Sequence, residues 1–255
     1  MTGKKLQFNK RKLRGFSGNQ LKMIAFFLML CDHVGFMLIE NGMLYGQNPV
    51  YWNMAINSDE GRKLYLIARI LRLVGRLSFP IFAFFVAEGF SHTSNENRYI
   101  ARMGLFAVLS EVPFDLACYG KYYYPDYQNV LFTYFIALIA LKFMHRLKKK
   151  YVLQVLVGAL FAGAAYLCRT DYDAFGVGFI CLMWMLRNSP KARIITGALA
   201  GAAESMEFYG ASAVSFILLK FYNGQRGHVP LKYFFYFMYP LHLAVFYLLV
   251  YLPNR

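Results

Sequence analysis

The stretch that decides the fold is Gln20–Asn41, QLKMIAFFLMLCDHVGFMLIEN. It opens on Lys22, is apolar from Met23 to Cys31, meets Asp32 and His33, and is apolar again at Val34 and from Phe36 to Ile39. About 20 predominantly apolar residues make a helix long enough to cross a bilayer. An acid and an imidazole inside such a helix are costly, and ionisable groups there are read as functional by default. The competing reading is a polar defect satisfied between packed helices. Two adjacent ionisable groups are harder to accommodate that way than one, so the functional reading leads. Lys22 and His33 are eleven residues apart. That is close to three helical turns, which puts both on one face about 16 Å apart along the axis. Asp32 and His33 are chain neighbours and point in different directions, so they are not expected to pair directly.

Composition agrees with a membrane setting. Of 255 residues, 58% are hydrophobic and 16% charged, against about 25% charged in soluble domains. The mean hydropathy is +0.36. Twenty-five Phe and twenty Tyr suit aromatic belts at the membrane interfaces. The expectation is an all-α, polytopic integral membrane bundle. Residues 1–20 form a basic cytoplasmic tail and residues 21–252 one membrane domain, because no polar stretch is long enough for a soluble one. The formal charge of +15 does not argue for nucleic acid, because the basic residues sit mostly in short loops between apolar runs. Such placement sets topology and attracts anionic lipid. Cys31, Cys118, Cys168 and Cys181 form no CxxC pair, so neither a disulfide framework nor a metal site is expected. The N-terminus has a basic lead from Lys4 to Arg14 but no small-residue cleavage pattern after the apolar run. It reads as a retained first span.

Taken in order, the apolar runs give about nine spans. The run Leu64–Phe90 is too long for one straight crossing and is divided into an interfacial lead-in and a span from about Leu77, with Pro80 as the break or kink. Arg69, Arg72 and Arg76 are three and four apart, on one face. Two short Gly- and Ala-rich runs, near Ile194–Met206 and Ala211–Tyr222, are expected to be tilted, re-entrant or closely packed. Alternate loops are basic, with Arg98 and Arg102, Arg146 and Lys148 to Lys150, Arg187 to Arg193, and Lys220 to Lys232. The positive-inside rule then places the N-terminus in the cytoplasm and the C-terminus outside. On that topology Asp32, His33, Arg76, Glu111, Asp115, Asn129, Arg169, Asp171, Glu204 and Glu207 fall in the outer half of the membrane or at its outer edge, around a polar, partly acidic outer cavity. Lys22, Glu88, Arg98 and Arg102 fall near the cytoplasmic side, at a basic inner mouth.

This arrangement suits a defined chemistry. An imidazole in a water-poor site is a competent general base, and Glu111 is the first choice to orient it, ahead of Asp32. Lys22, Arg98 and Arg102 could hold a phosphorylated ligand. The spacing of about 16 Å along one helix face is comparable to an extended pantetheine arm. Together these suggest an acyl group carried on a cytoplasmic thioester and used deeper in the membrane. The alternative is a secondary transporter, in which the same charges make a proton or substrate path. Against it, no two halves of similar pattern are visible.

The segments LKMIAFFLMLCDHVG, GRLSFPIFAFFVAEGFSHT, RYIARMGLFAVLSEVPFD and NVLFT resemble the TraX family, named for the conjugative-pilus protein that acetylates the N-terminus of pilin. The likeness covers most of the chain, is strongest from Leu21 to Thr133 and thins after Leu141. More distantly the chain is similar to the wider superfamily of transmembrane acyltransferases. The first-span pattern of that superfamily, a basic residue, ten others and a histidine, falls here on Lys22 and His33. Its pair of arginines two residues apart is approached by Arg98 and Arg102, with three between them. The resemblance implies acetyl-CoA as donor, His33 as catalytic base, and a pilin-like protein or surface glycan as the acyl acceptor.

Overall fold

The computed structural model describes residues 15–227 and 231–251. The basic lead from Lys4 to Arg14 and the C-terminal Arg255 lie outside them. The described residues are helical with no strand. The helices are α1 Gly18–His33, α2 Pro49–Asn57, α3 Asp59–Gly75, α4 Ser78–His92, α5 Glu96–Tyr119 and α6 Val130–Arg146. They continue as α7 Tyr151–Leu167, α8 Asp173–Met185, α9 Pro190–Glu204, α10 Ser215–Lys220 and α11 Lys232–Tyr251. Among the described residues, three helical runs are long and apolar enough to cross a membrane: Gly18–Met43, Asp59–His92 and Tyr233–Tyr251. This is a membrane protein.

The first span starts earlier than expected, at Gly18 rather than near Leu21, because a capping box closes it. The Ser17 side chain accepts from the Gln20 N–H, and the Gln20 side chain accepts from Ser17. Next to the cap, Gly18 and Asn19 donate to the carbonyls of Gln225 and Arg226, so a loop rather than solvent satisfies the helix start. Residues 15–19 are therefore not part of a free tail. Phe16 bonds both ways across the same junction: its N–H donates to the Phe221 carbonyl, and its carbonyl accepts from the Asn223 N–H. The start of α1 and the loop before α11 thus share one end of the bundle.

Immediately after His33 the first span rewinds into a π-helix, Val34–Met43. Extended π winding is rare and usually marks a functional site. Gly35 and Gly75 let α3 press against this region. A Cβ on Gly75 would stand 2.3 Å from Asp32 Cβ and 2.7 Å from its Cα.

The break in the second long run falls at Arg76–Leu77, not at Pro80. Pro80 lies in the first turn of α4, where its missing N–H has no intrahelical partner to lose. The core packs α4, α6 and α8 together around Ile81, Leu138, Leu141, Ile180 and Met183, all fully buried. The second of the two short Gly/Ala-rich runs is too brief to cross. A 3₁₀ turn at Ala211–Val214 leads into the six-residue α10, and ten residues reach only about 15–20 Å. It folds back on α9, where Phe216 occupies the place a side chain at Gly197 would take, 2.2 Å from that Cβ. The 204–212 turn rests on α3: Ser212 Oγ donates to the Arg76 carbonyl at 3.0 Å, and Arg69 pairs with Glu207 at 2.8 Å.

Candidate active site

One cavity of about 750 Å³ runs beside α1, within the range of small-molecule sites. Lys22 lines one end and His33 the middle of it. The helix between them is regular α-helix, so the shared face read from the spacing is realised.

At the Lys22 end the ammonium lies 5.0 Å from the centroid of the Phe85 ring. Arg102 and Arg226 line the same end. No carboxylate contacts any of these three cations among the described residues. Arg226 is brought there by the loop that caps α1. Arg102 stands against the Tyr236 hydroxyl, and its Nε is buried without a partner among the described residues. Arg98 does not reach the cavity: it is exposed, in the first turn of α5. An acid is also present, because Glu88 lines this end and pairs with Arg193 at 2.8 Å.

In the middle, Arg76 Nη2 bridges both oxygens of Asp32, at 2.8 and 3.0 Å. Asp32 is therefore committed to Arg76 and points away from His33, as helical geometry requires. Arg76 is the last of a ladder in which Arg69 meets Glu207, Arg72 meets Glu40 at 2.7 Å, and all three guanidinium groups surround the Phe208 ring at 4.2, 5.4 and 5.1 Å. All three arginines have carboxylate partners within the protein.

His33 Nδ1 meets His242 Nε2 at 2.7 Å, with the ring planes 2° from parallel and the centroids 4.9 Å apart, so the two imidazoles lie edge to edge. The partner is thus an imidazole from α11. Glu111, expected to orient His33, is engaged elsewhere: its carboxylate accepts from the Asn129 N–H at 3.2 Å and the Asn129 side chain at 2.5 Å. Asn129 is fully buried, caps α6 and also donates to the Ala107 carbonyl. Asp115 accepts from the Tyr124 N–H at 2.8 Å, and Arg169 pairs with Asp126. Glu111, Asn129, Asp115 and Arg169 brace the connection from α5 to α6 and do not line the cavity.

Asp171 does line it. The Tyr127 hydroxyl donates to its carboxylate at 2.9 Å. The side chain opens a little to the cavity but has protein on all sides, and this burial pushes its carboxyl up to about 6, against the lowering effects of Tyr127 and Arg76. Of the residues proposed from sequence, the cavity gathers Lys22, Asp32, His33, Arg76, Arg102 and Asp171. Glu88, expected on the cytoplasmic side with Lys22, lines it too; the cavity adds Arg226 and Tyr127, and His242 behind His33, none of which sequence spacing could place.

The fold and cavity define a class: a helical membrane protein with a histidine-centred chamber and a basic mouth. The chain belongs to the TraX family, whose model, described as TraX protein, matches residues 17–250. It is similar to the probable fimbrial assembly protein FimC, serogroup H1, of Dichelobacter nodosus, 28% identical over 254 residues, 90% of this chain and 94% of that protein. No solved structure matches it.

Proposed function

We propose that this chain is a multi-pass acetyltransferase of the cell membrane, with its N-terminus cytoplasmic and its C-terminus outside. It takes acetyl from cytoplasmic acetyl-CoA and passes it to a pilin-like protein or a surface glycan. The observation that carries the reading is the shared chamber. Three cations without carboxylate partners among the described residues stand at one end, and a histidine open to the chamber stands about 16 Å deeper on the same helix. Lys22, Arg102 and Arg226 suit the phosphates of coenzyme A. The cavity between suits its extended arm, which would deliver the thioester to His33. There the acceptor nitrogen or oxygen bonds to the acetyl carbon while His33 takes its proton. The carbon–sulfur bond breaks, and the proton passes to the departing thiolate, which leaves as coenzyme A thiol. Membership of the TraX family and the fimbrial name of the Dichelobacter nodosus relative favour a pilus subunit as acceptor.

The test is purified full-length protein in lipid nanodiscs, supplied with [¹⁴C]acetyl-CoA and a pilin N-terminal peptide or a surface oligosaccharide. The expected result is label on one acceptor with release of free coenzyme A. No thioester cleavage with either acceptor, together with solute- or proton-driven uptake in proteoliposomes, would overturn the reading in favour of a transporter.

A further inference from the structure

Beyond His33, a second histidine stands in a defined relation to the chamber. His242 is buried on α11 and makes two contacts through its two ring nitrogens. Nδ1 lies 2.8 Å from the Met238 carbonyl, one turn back on its own helix, and Nε2 lies 2.7 Å from His33 Nδ1. A carbonyl oxygen only accepts, so His242 Nδ1 carries a hydrogen. In a neutral ring, Nε2 is then a lone-pair acceptor. His33 Nδ1 must carry the hydrogen that fills this contact, which leaves His33 Nε2 unprotonated. That nitrogen makes no hydrogen bond to any described residue, and His33 lines the chamber.

Packing holds the relay in place. The rings of Phe26, Tyr239 and Phe246 lie 6.3, 5.4 and 6.0 Å from the His242 ring, and Phe246 is 6.3 Å from His33. No carboxylate touches either imidazole among the described residues: Asp32 is held by Arg76 and Glu111 by Asn129. Two neutral rings satisfy every contact without a counter-ion.

We infer that His242 is a positioning residue, which hands the direction of a backbone carbonyl on to His33 and fixes the tautomer with a lone pair at Nε2 facing the chamber. This is the task a carboxylate commonly performs for a catalytic histidine, done here by a second imidazole. The inference rests on His33 as the base of the reaction proposed above. It also makes a claim about proton positions that holds without that reaction.

The experiment is ¹⁵N NMR of histidine-labelled full-length protein in nanodiscs, with the His33 signals assigned by loss in His33→Asn. Ring ¹⁵N shifts separate protonated from unprotonated nitrogens. The expected wild-type pattern is N–H at Nδ1 and a bare Nε2 for both His33 and His242. His242→Leu removes the acceptor, so the His33 hydrogen should move to Nε2, the site a free imidazole favours. Acetyl transfer should then lose about 10²-fold or more in kcat with donor KM unchanged. His242→Gln keeps an acceptor oxygen near the Nε2 position and should restore the wild-type tautomer and most of the rate. A hydrogen on His33 Nε2 in the wild type would overturn the inference, as would a His33 tautomer indifferent to His242→Leu. The wild-type spectrum decides even where the leucine variant does not fold. The expected tautomers in a protein that transfers no acetyl would leave the relay standing and remove the proposed reaction instead.

Discussion

Lys22, Arg102 and Arg226 enter the same end of the chamber from three different parts of the chain, and a polyanion there would meet all three. Hydrogen bonds to charged groups are worth about 1.5–3 kcal/mol each. Lys22→Ala, Arg102→Ala or Arg226→Ala should each raise the apparent KM for acetyl-CoA about ten-fold or more, while Arg98→Ala, on the exposed turn, should not. Equal donor affinity in all four variants would remove the phosphates from that mouth. Asp171 supports a separate prediction. Its folded value of about 6 lies above the ordinary 3.8, so its favourable contribution is fully present below about pH 4 and is lost as pH rises through about 6. Asp171→Asn should therefore raise the unfolding temperature at pH 8 and not at pH 4, by an amount equivalent to at most about 3 kcal/mol. A stabilisation that is equal at both values would contradict the assignment. Lys22 and His33 were legible because their relation is local: eleven residues of one helix set the face. His242 carries no such local signal. Its partner lies 209 residues away, and no periodicity carries that information. Glu111 meets Asn129 instead of His33, and sequence does not separate the two, because an acid in an apolar run reads the same whether it serves a catalytic base or braces a buried Asn cap.

At the scale of elements, the chamber depends on how closely α3 approaches the end of α1. Gly75 has no room for a Cβ, because Asp32 backbone atoms already occupy that space. Gly75→Val should push α3 outward, separate Arg76 from Asp32 and destabilise the fold by about 1–3 kcal/mol. Gly163 on α7 is the matched control, since a Cβ there meets nothing within 4 Å. Gly163→Ala should cost nothing measurable by thermal unfolding, and a Gly75→Val protein as stable as the Gly163→Ala one would refute the close-contact account. The element boundaries follow the same physics. Pro80 signalled a break correctly to within a turn, because proline both ends helices and opens them, and sequence does not say which. The winding of Val34–Met43 into a π-helix had no signal in an apolar run, since hydrophobic periodicity tolerates either winding over so few turns. The shortness of α10 was partly legible in its Gly- and Ala-rich neighbours, which mark close packing more than a crossing.

At the scale of the molecule, the contacts between residues 15–19 and 221–226 tie the start of the first span to the start of the last. The segment between them must therefore leave and return to the same side, whatever the number of full crossings. On the orientation proposed above, α11 carries the chain outward. Reporter fusions after His145 and after Arg255 should accordingly report opposite sides, and a reporter placed at the 209–210 turn would decide whether α9 crosses fully. The same side for the first two would invert the chamber and detach the basic mouth from cytoplasmic coenzyme A. Within that frame, everything proposed for the reaction converges on one side chain. The direct measurement is acetyl transfer by His33→Ala in full-length protein that still binds coenzyme A and unfolds at the wild-type temperature. Removal of the base is expected to lower kcat by about 10²–10⁴-fold with donor binding intact, because the phosphate end lies three helical turns away. Transfer at the wild-type rate by that variant would contradict the account, leaving His33 and His242 as a buried structural pair.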